Sequence, residues 1–145
     1  MDVDFLTLAD SAQVVGDKLY MLGGGWNFVN APQFPAQHSM SVAVGFSVDW
    51  METNRRHDFR IELRKEDGGH KLADVAGQFE AGRPAGIPPG TTQKVLLAFS
   101  FAVSIERAGQ YVVRLFLNGQ DAKHQAFMAI AADGAGVPPQ LPPSN

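Results

Sequence analysis

At 145 residues and 15.7 kDa the chain has the usual size of one domain, long enough to bury roughly 70% of its unfolded surface without covalent staples. It contains no cysteine, which excludes disulfides, thiolate nucleophiles and cysteine-ligated zinc or iron–sulfur centres and fits a reducing compartment. A net charge of −3 with scattered basic residues excludes the clustered cationic face of a nucleic-acid binder.

No apolar run approaches the ~20 residues of a membrane-spanning helix, and Met1-Asp2-Val3-Asp4 carries acids where a signal peptide carries Lys or Arg. The expectation is a soluble, cytoplasmic protein without membrane contact. Its 15 Gly and 9 Pro fall between the apolar segments, which is how a many-stranded, many-turned chain is punctuated.

In chain order, Val3 to Ala9 is apolar on both alternations and predicts a strand buried on much of both faces. A kink or bulge near Asp10-Ser11 and a turn at Gly16-Asp17 would return Leu19 to Leu22 beside it as a hairpin. That return strand runs into Gly23-Gly24-Gly25 and Trp26, read as a strand that uses glycines to leave or cross the sheet while Trp26 covers what they expose. Met40, Val42, Val44, Phe46 and Val48 alternate with Ser41, Ala43, Gly45 and Ser47, a period of two that excludes a helix. Phe59, Ile61 and Leu63 alternate with Arg60, Glu62 and Arg64, giving an apolar face and a charged, solvated one.

A turn at Asp67-Gly68-Gly69 precedes a weaker strand, Val75 to Ala81, and Gly82 to Gly90 reads as a long surface crossover. Val95 to Ile105 is the longest apolar alternation and is predicted to be a central strand, so that loss of Phe99 or Phe101 would unfold the domain. Tyr111 to Leu117 and Lys123 to Ala131 flank Asn118-Gly119, the dipeptide that best accepts the positive φ of a tight hairpin. Gly109-x-Tyr111 stands where a tyrosine corner would in an immunoglobulin-like domain. The expected architecture is an all-β, immunoglobulin-like antiparallel sandwich of about eight strands over residues 1–131, followed by a proline-rich, extended or disordered tail at 132–145.

No motif selects a reaction. Gly23-x-Gly25-x-x-Phe28 has two of three dinucleotide-fingerprint glycines and Asn27 to Pro35 cannot open the helix a phosphate would need; no P-loop occurs. His38, His57, His70 and His124 lack ligand-pair spacing, the acids lack calcium-loop spacing, and no cofactor is implied. Ser39 after His38 has no nucleophile elbow. The densest polar and aromatic cluster is Trp50 to His57, placed in a loop between two strands, where binding residues commonly sit. Trp26, Trp50, Glu52, His57 and Arg83 are therefore the candidate contacts for a protein or small-molecule ligand. The same Trp50 can instead fold over the core edge, and the same Arg83 can stiffen its own loop through a carbonyl or an acid. Pro139-x-x-Pro142 formally matches a polyproline ligand.

Four stretches together resemble an uncharacterised bacterial domain family of unknown function: Leu6 to Phe28, Phe34 to His38, Trp50 to Leu63 and Gly77 to Gly90. The resemblance implies a compact, stand-alone intracellular β-sandwich and carries no activity or residue role. Three functions follow as expectations. The first is a non-enzymatic binding module using the loops of the sandwich. The second is a hydrolase or lyase using Glu52 with His57 as acid or base, and the third a self-assembling, homo-oligomeric subunit.

Overall fold

A computed structural model describes residues 1–132, so all but the first residue of the tail expected at 132–145 lies outside the described residues. The described chain folds into nine strands and one 3₁₀ turn: β1 (Asp2–Val15), β2 (Lys18–Gly24), β3 (Phe28–Ala31), β4 (Ala36–Val48), the turn Trp50–Glu52, β5 (Arg56–Lys65), β6 (Lys71–Glu80), β7 (Gln93–Ile105), β8 (Gly109–Leu117) and β9 (Gln120–Ala131). They form a four-stranded sheet, β2-β1-β4-β7, and a five-stranded sheet, β3-β9-β8-β5-β6.

The period-two segments explain the core. Met40, Val42, Val44, Phe46 and Val48 of β4 join Leu6 and Leu8 of β1 against Phe59, Ile61 and Leu63 of β5, Val113 and Leu115 of β8, and Phe127 of β9. Each fully buried aliphatic or aromatic side chain in that layer contributes about 1.5–3 kcal/mol of transfer free energy. The small-residue face of β4 is buried as well. Ala9, Ala12 and Ala43 form a second cluster beneath Phe5 and Leu19, and the Ser41 and Ser100 hydroxyls bond each other at 3.0 Å. Phe5 lies over its cross-strand partner Gly45 in one sheet and Phe59 over Gly77 in the other, so each aromatic ring fills the place of a missing side chain.

The architecture is all-β and two-layered, with four differences from the sequence expectation. β7 is the edge of its sheet and β4 is inside it. Length and apolarity pointed to a central position, but β7 is apolar on both faces because Phe99 meets Phe59 on one, tilted at 5.3 Å between ring centroids, while Ala98 on the other packs against the Ala9, Ala12 and Ala43 cluster with Leu19. β3, unforeseen between Asn27 and Pro32, pairs in parallel with β9, so the second sheet is mixed. The Tyr111 hydroxyl does donate to the Arg107 carbonyl at 2.7 Å, the bond of a tyrosine corner. The immunoglobulin likeness stops there, since the strand order above is not the immunoglobulin order. Finally, His57 lies in β5 rather than in the loop before it.

The glycine-rich stretch carries the chain from one sheet to the other. β1 and β2 skip the Asp10/Gly23 pair, Gly23 and Gly25 take φ of +61° and +89°, and the Gly25 amide donates to the Leu8 carbonyl at 2.8 Å. Among the described residues no helix is long and apolar enough to cross a membrane.

Candidate functional site

The five sequence-flagged residues separate into two places. Trp26, on the crossing from β2 to β3, stands edge-on to His38 of one sheet and Phe127 of the other, both at 5.9 Å between ring centroids. It thereby closes one end of the sandwich. Its Nε1 and the His38 Nε2 are buried without a protein partner among the described residues. Burial pushes the His38 pKa down, partly opposed by the charge of Asp10.

Trp50, Glu52, His57 and Arg83 come together where the 3₁₀ turn meets the β6–β7 crossover. The Arg83 guanidinium lies 3.9 Å over the Trp50 ring and donates to the Thr53 hydroxyl at 2.6 Å and the Trp50 carbonyl at 2.7 Å. The Glu52 carboxylate accepts from the Met1 amino group. His57 is 4% exposed, with Nε2 2.8 Å from the Glu52 carbonyl and Nδ1 3.2 Å from the Asn118 amide nitrogen. A carbonyl can only accept and an amide nitrogen only donate, so the proton sits on Nε2 and the imidazole is the neutral tautomer. The Glu52 carboxylate and the His57 ring thus meet different partners and do not form an acid–base pair. Asn118, at φ +50° in the β8–β9 turn, also accepts from the Asp58 amide through Oδ1 at 2.9 Å.

A concavity lies elsewhere, on the outer face of the mixed sheet. An open groove of about 630 Å³ runs across β8, β5 and β6, lined by Asp58, Arg60, Glu62, Ala76, Gln78 and Phe116, with backbone at Phe59, Gly77 and Gly119. Pairing register explains the set: Arg60 stands opposite Ala76 on one side and Phe116 on the other, and Asp58 opposite Gln78. Ala76 leaves room that a larger side chain would fill. Beside Phe116 the β8–β9 register shifts, with Leu115 facing Lys123 and Phe116 facing Asp121. Such bulges re-aim side chains and recur near functional sites.

The charged outer face is organised rather than merely solvated. Arg60 grips Asp74 with Nε at 2.9 Å and Nη2 at 2.5 Å, and Lys71 adds a contact to Asp74 at 3.0 Å. Those bonds, from Arg60 first and then Lys71, hold the Asp74 pKa at about 2. Glu62, only 9% exposed, sits among Arg60 at 3.3 Å, Arg64 at 3.1 Å and Lys71 at 3.0 Å. Burial opposes its ionisation, but the bonds from Lys71 and Arg64 outweigh that and hold its pKa below the usual carboxylate range. Asp58 accepts from Gln78 at 2.8 Å through Oδ1, and its Oδ2 has no donor among the described residues. The groove was missed in the sequence because its residues are individually ordinary; the one available signal was the Arg60/Glu62/Arg64 alternation opposite a strand with alanine and glycine.

A model described as a family of unknown function, DUF6941, matches residues 4–129. The chain belongs to that family. No curated protein matches. Among solved structures, the Pseudomonas fluorescens alkylpurine DNA glycosylase AlkC, bound to DNA containing an abasic site analog, aligns with a TM-score of 0.36 at 12% identity over 86% of this chain and 30% of that chain.

Proposed function

We propose that this member of DUF6941 is a non-enzymatic binding module, and that its ligand occupies the groove on the outer face of β8, β5 and β6. The observation that carries the reading is the groove itself, about 630 Å³ with an apolar side at Phe116 and Ala76 and, at Asp58, a carboxylate whose second oxygen has no donor among the described residues. Pockets that combine an apolar wall with a few convergent polar groups are where ligands bind. The favoured ligand has a flat apolar body lying on Phe116 and a cationic or N–H donor end reaching Asp58. Two other carboxylates of that face, Glu62 and Asp74, are held ionised by their cationic neighbours. That suits recognition by charge rather than proton transfer, which wants a group poised near neutral pH. In this reading Trp50, Glu52, His57 and Arg83 serve the architecture at one end of the sandwich, and Trp26 at another.

Two simple probes test the assignment: benzylamine, an aromatic ring with an ammonium, and phenylacetate, the same ring with a carboxylate. Benzylamine is expected to shift the amide resonances of Ala76, Gly77 and Gln78, with the millimolar affinity of so small a ligand. Asp58→Asn and Phe116→Ala should each remove the effect. Equal shifts from phenylacetate, shifts centred on Trp50, or no shifts at all would overturn the assignment.

A further inference from the structure

We propose that the free edge of β2 is a self-association surface, on which a second copy of this chain lays its own β2 antiparallel about a two-fold axis at Tyr20. The backbone geometry of the β1–β2 hairpin sets which groups are available. Its two-residue turn, Gly16-Asp17, has φ of +56° and +60°, and Val15 faces Lys18 across it. In such a hairpin the closing pair is hydrogen-bonded and the pattern alternates outward. Lys18, Tyr20 and Leu22 therefore face β1, while the N–H and C=O groups of Leu19 and Met21 point away along the unpaired edge.

The side chains agree with the backbone. Of the six large hydrophobic residues exposed among the described ones, four lie on this hairpin: Val15 at 54%, Tyr20 at 54%, Met21 at 40% and Leu22 at 74%. By register Val15, Tyr20 and Leu22 share one face. Edge strands are normally guarded by charge, and one edge of the other sheet, β6, carries Lys71, Asp74 and Glu80. β2 carries Lys18 alone.

The two-fold at Tyr20 also resolves the one charge. It sets Tyr20 beside the partner's Tyr20 and Lys18 opposite the partner's Leu22, so no like charges meet and the Lys18 methylenes cover an exposed leucine. Leu19 bonds the partner's Met21 and the reverse. An axis at Met21 would instead recruit Gly23, whose φ of +61° takes it out of the strand conformation. Because one two-fold uses both β2 edges, association closes at the dimer.

Sedimentation equilibrium across the micromolar range tests this on the full chain. The wild type is expected to show a monomer–dimer equilibrium. Leu22→Lys, which opposes two lysines, should raise the dimer Kd at least about ten-fold. Leu22→Glu, which faces the partner's Lys18, should retain the dimer and make it salt-sensitive. Met21→Pro, which removes an outward N–H and leaves the β1 ladder intact, should abolish it. Circular dichroism of each variant confirms that the fold is kept. A wild type that stays monomeric overturns the proposal, as does equal loss in the Lys and Glu variants, which would mean unspecific apolar association. A strict monomer with exchange-protected Leu19 and Met21 amides overturns it too, since another segment or partner would then hold the edge.

Discussion

Gly23 and Gly25 stand at φ +61° and +89°, whereas Gly24 between them has an ordinary backbone, and a Cβ there would press only on the flexible end of Met21. An L-residue at such positive φ costs roughly 1–2 kcal/mol. Gly25→Ala is therefore expected to lower unfolding free energy by about that much, and Gly24→Ala by less than about 0.5 kcal/mol, in urea denaturation. The run of glycines was legible as a crossing between sheets, but which glycines bear the backbone demand was not, because φ depends on where β2 stops pairing with β1. The partner of Trp26 was equally hidden, since nothing local links Trp26 to His38. That contact makes its own prediction. The folded His38 pKa is depressed by burial, so stability is full above the ordinary value of about 6.5 and declines as pH falls below it, when the unfolded chain takes up the proton first. His38→Gln should flatten that part of the profile, read by Trp fluorescence against temperature.

Periodicity identified eight of the strands and not their order. The alternation in β4 and β7 looks the same on paper, yet β4 lies between β1 and β7 while β7 lies at the edge. The difference is visible in exposure: Phe46 is 0% exposed, whereas Phe99 is only partly buried. Phe46→Ala should cost about 3–5 kcal/mol, and Phe99→Ala about half of that. β3 escaped because four residues between Asn27 and Pro32 carry no usable period, and its parallel pairing with β9 depends on a sheet assembled from distant segments. On the outer face of β5 and β6, Asp74 is held at about 2 by Arg60 and Lys71. Its folded pKa is depressed, so its contribution is present above the ordinary 3.8 and is lost as pH falls through about 2. Asp74→Asn should shrink that acid limb, leaving the part carried by Glu62, and leave the one near pH 6.5 untouched.

At the scale of the molecule, composition and punctuation were enough for an all-β fold, because alternation and turn chemistry are local. The groove was not legible, because Asp58, Ala76 and Phe116 come from three strands and each is unremarkable alone. Residues that look functional in sequence, such as Trp50 beside a polar loop, acquire close partners once the chain folds, and the recognition surface assigned to the outer face of β5 and β6 is made of what remains open. The most direct test of that division is a paired measurement on Arg83→Ala and Phe116→Ala, comparing thermal unfolding with benzylamine binding. Arg83→Ala, losing its stacking and two hydrogen bonds, is expected to destabilise the fold by about 1–2 kcal/mol and to bind the probe as the wild type does. Phe116→Ala should melt within about 1 kcal/mol of wild type and lose the probe. Binding that survives in Phe116→Ala and disappears in Arg83→Ala would contradict the account.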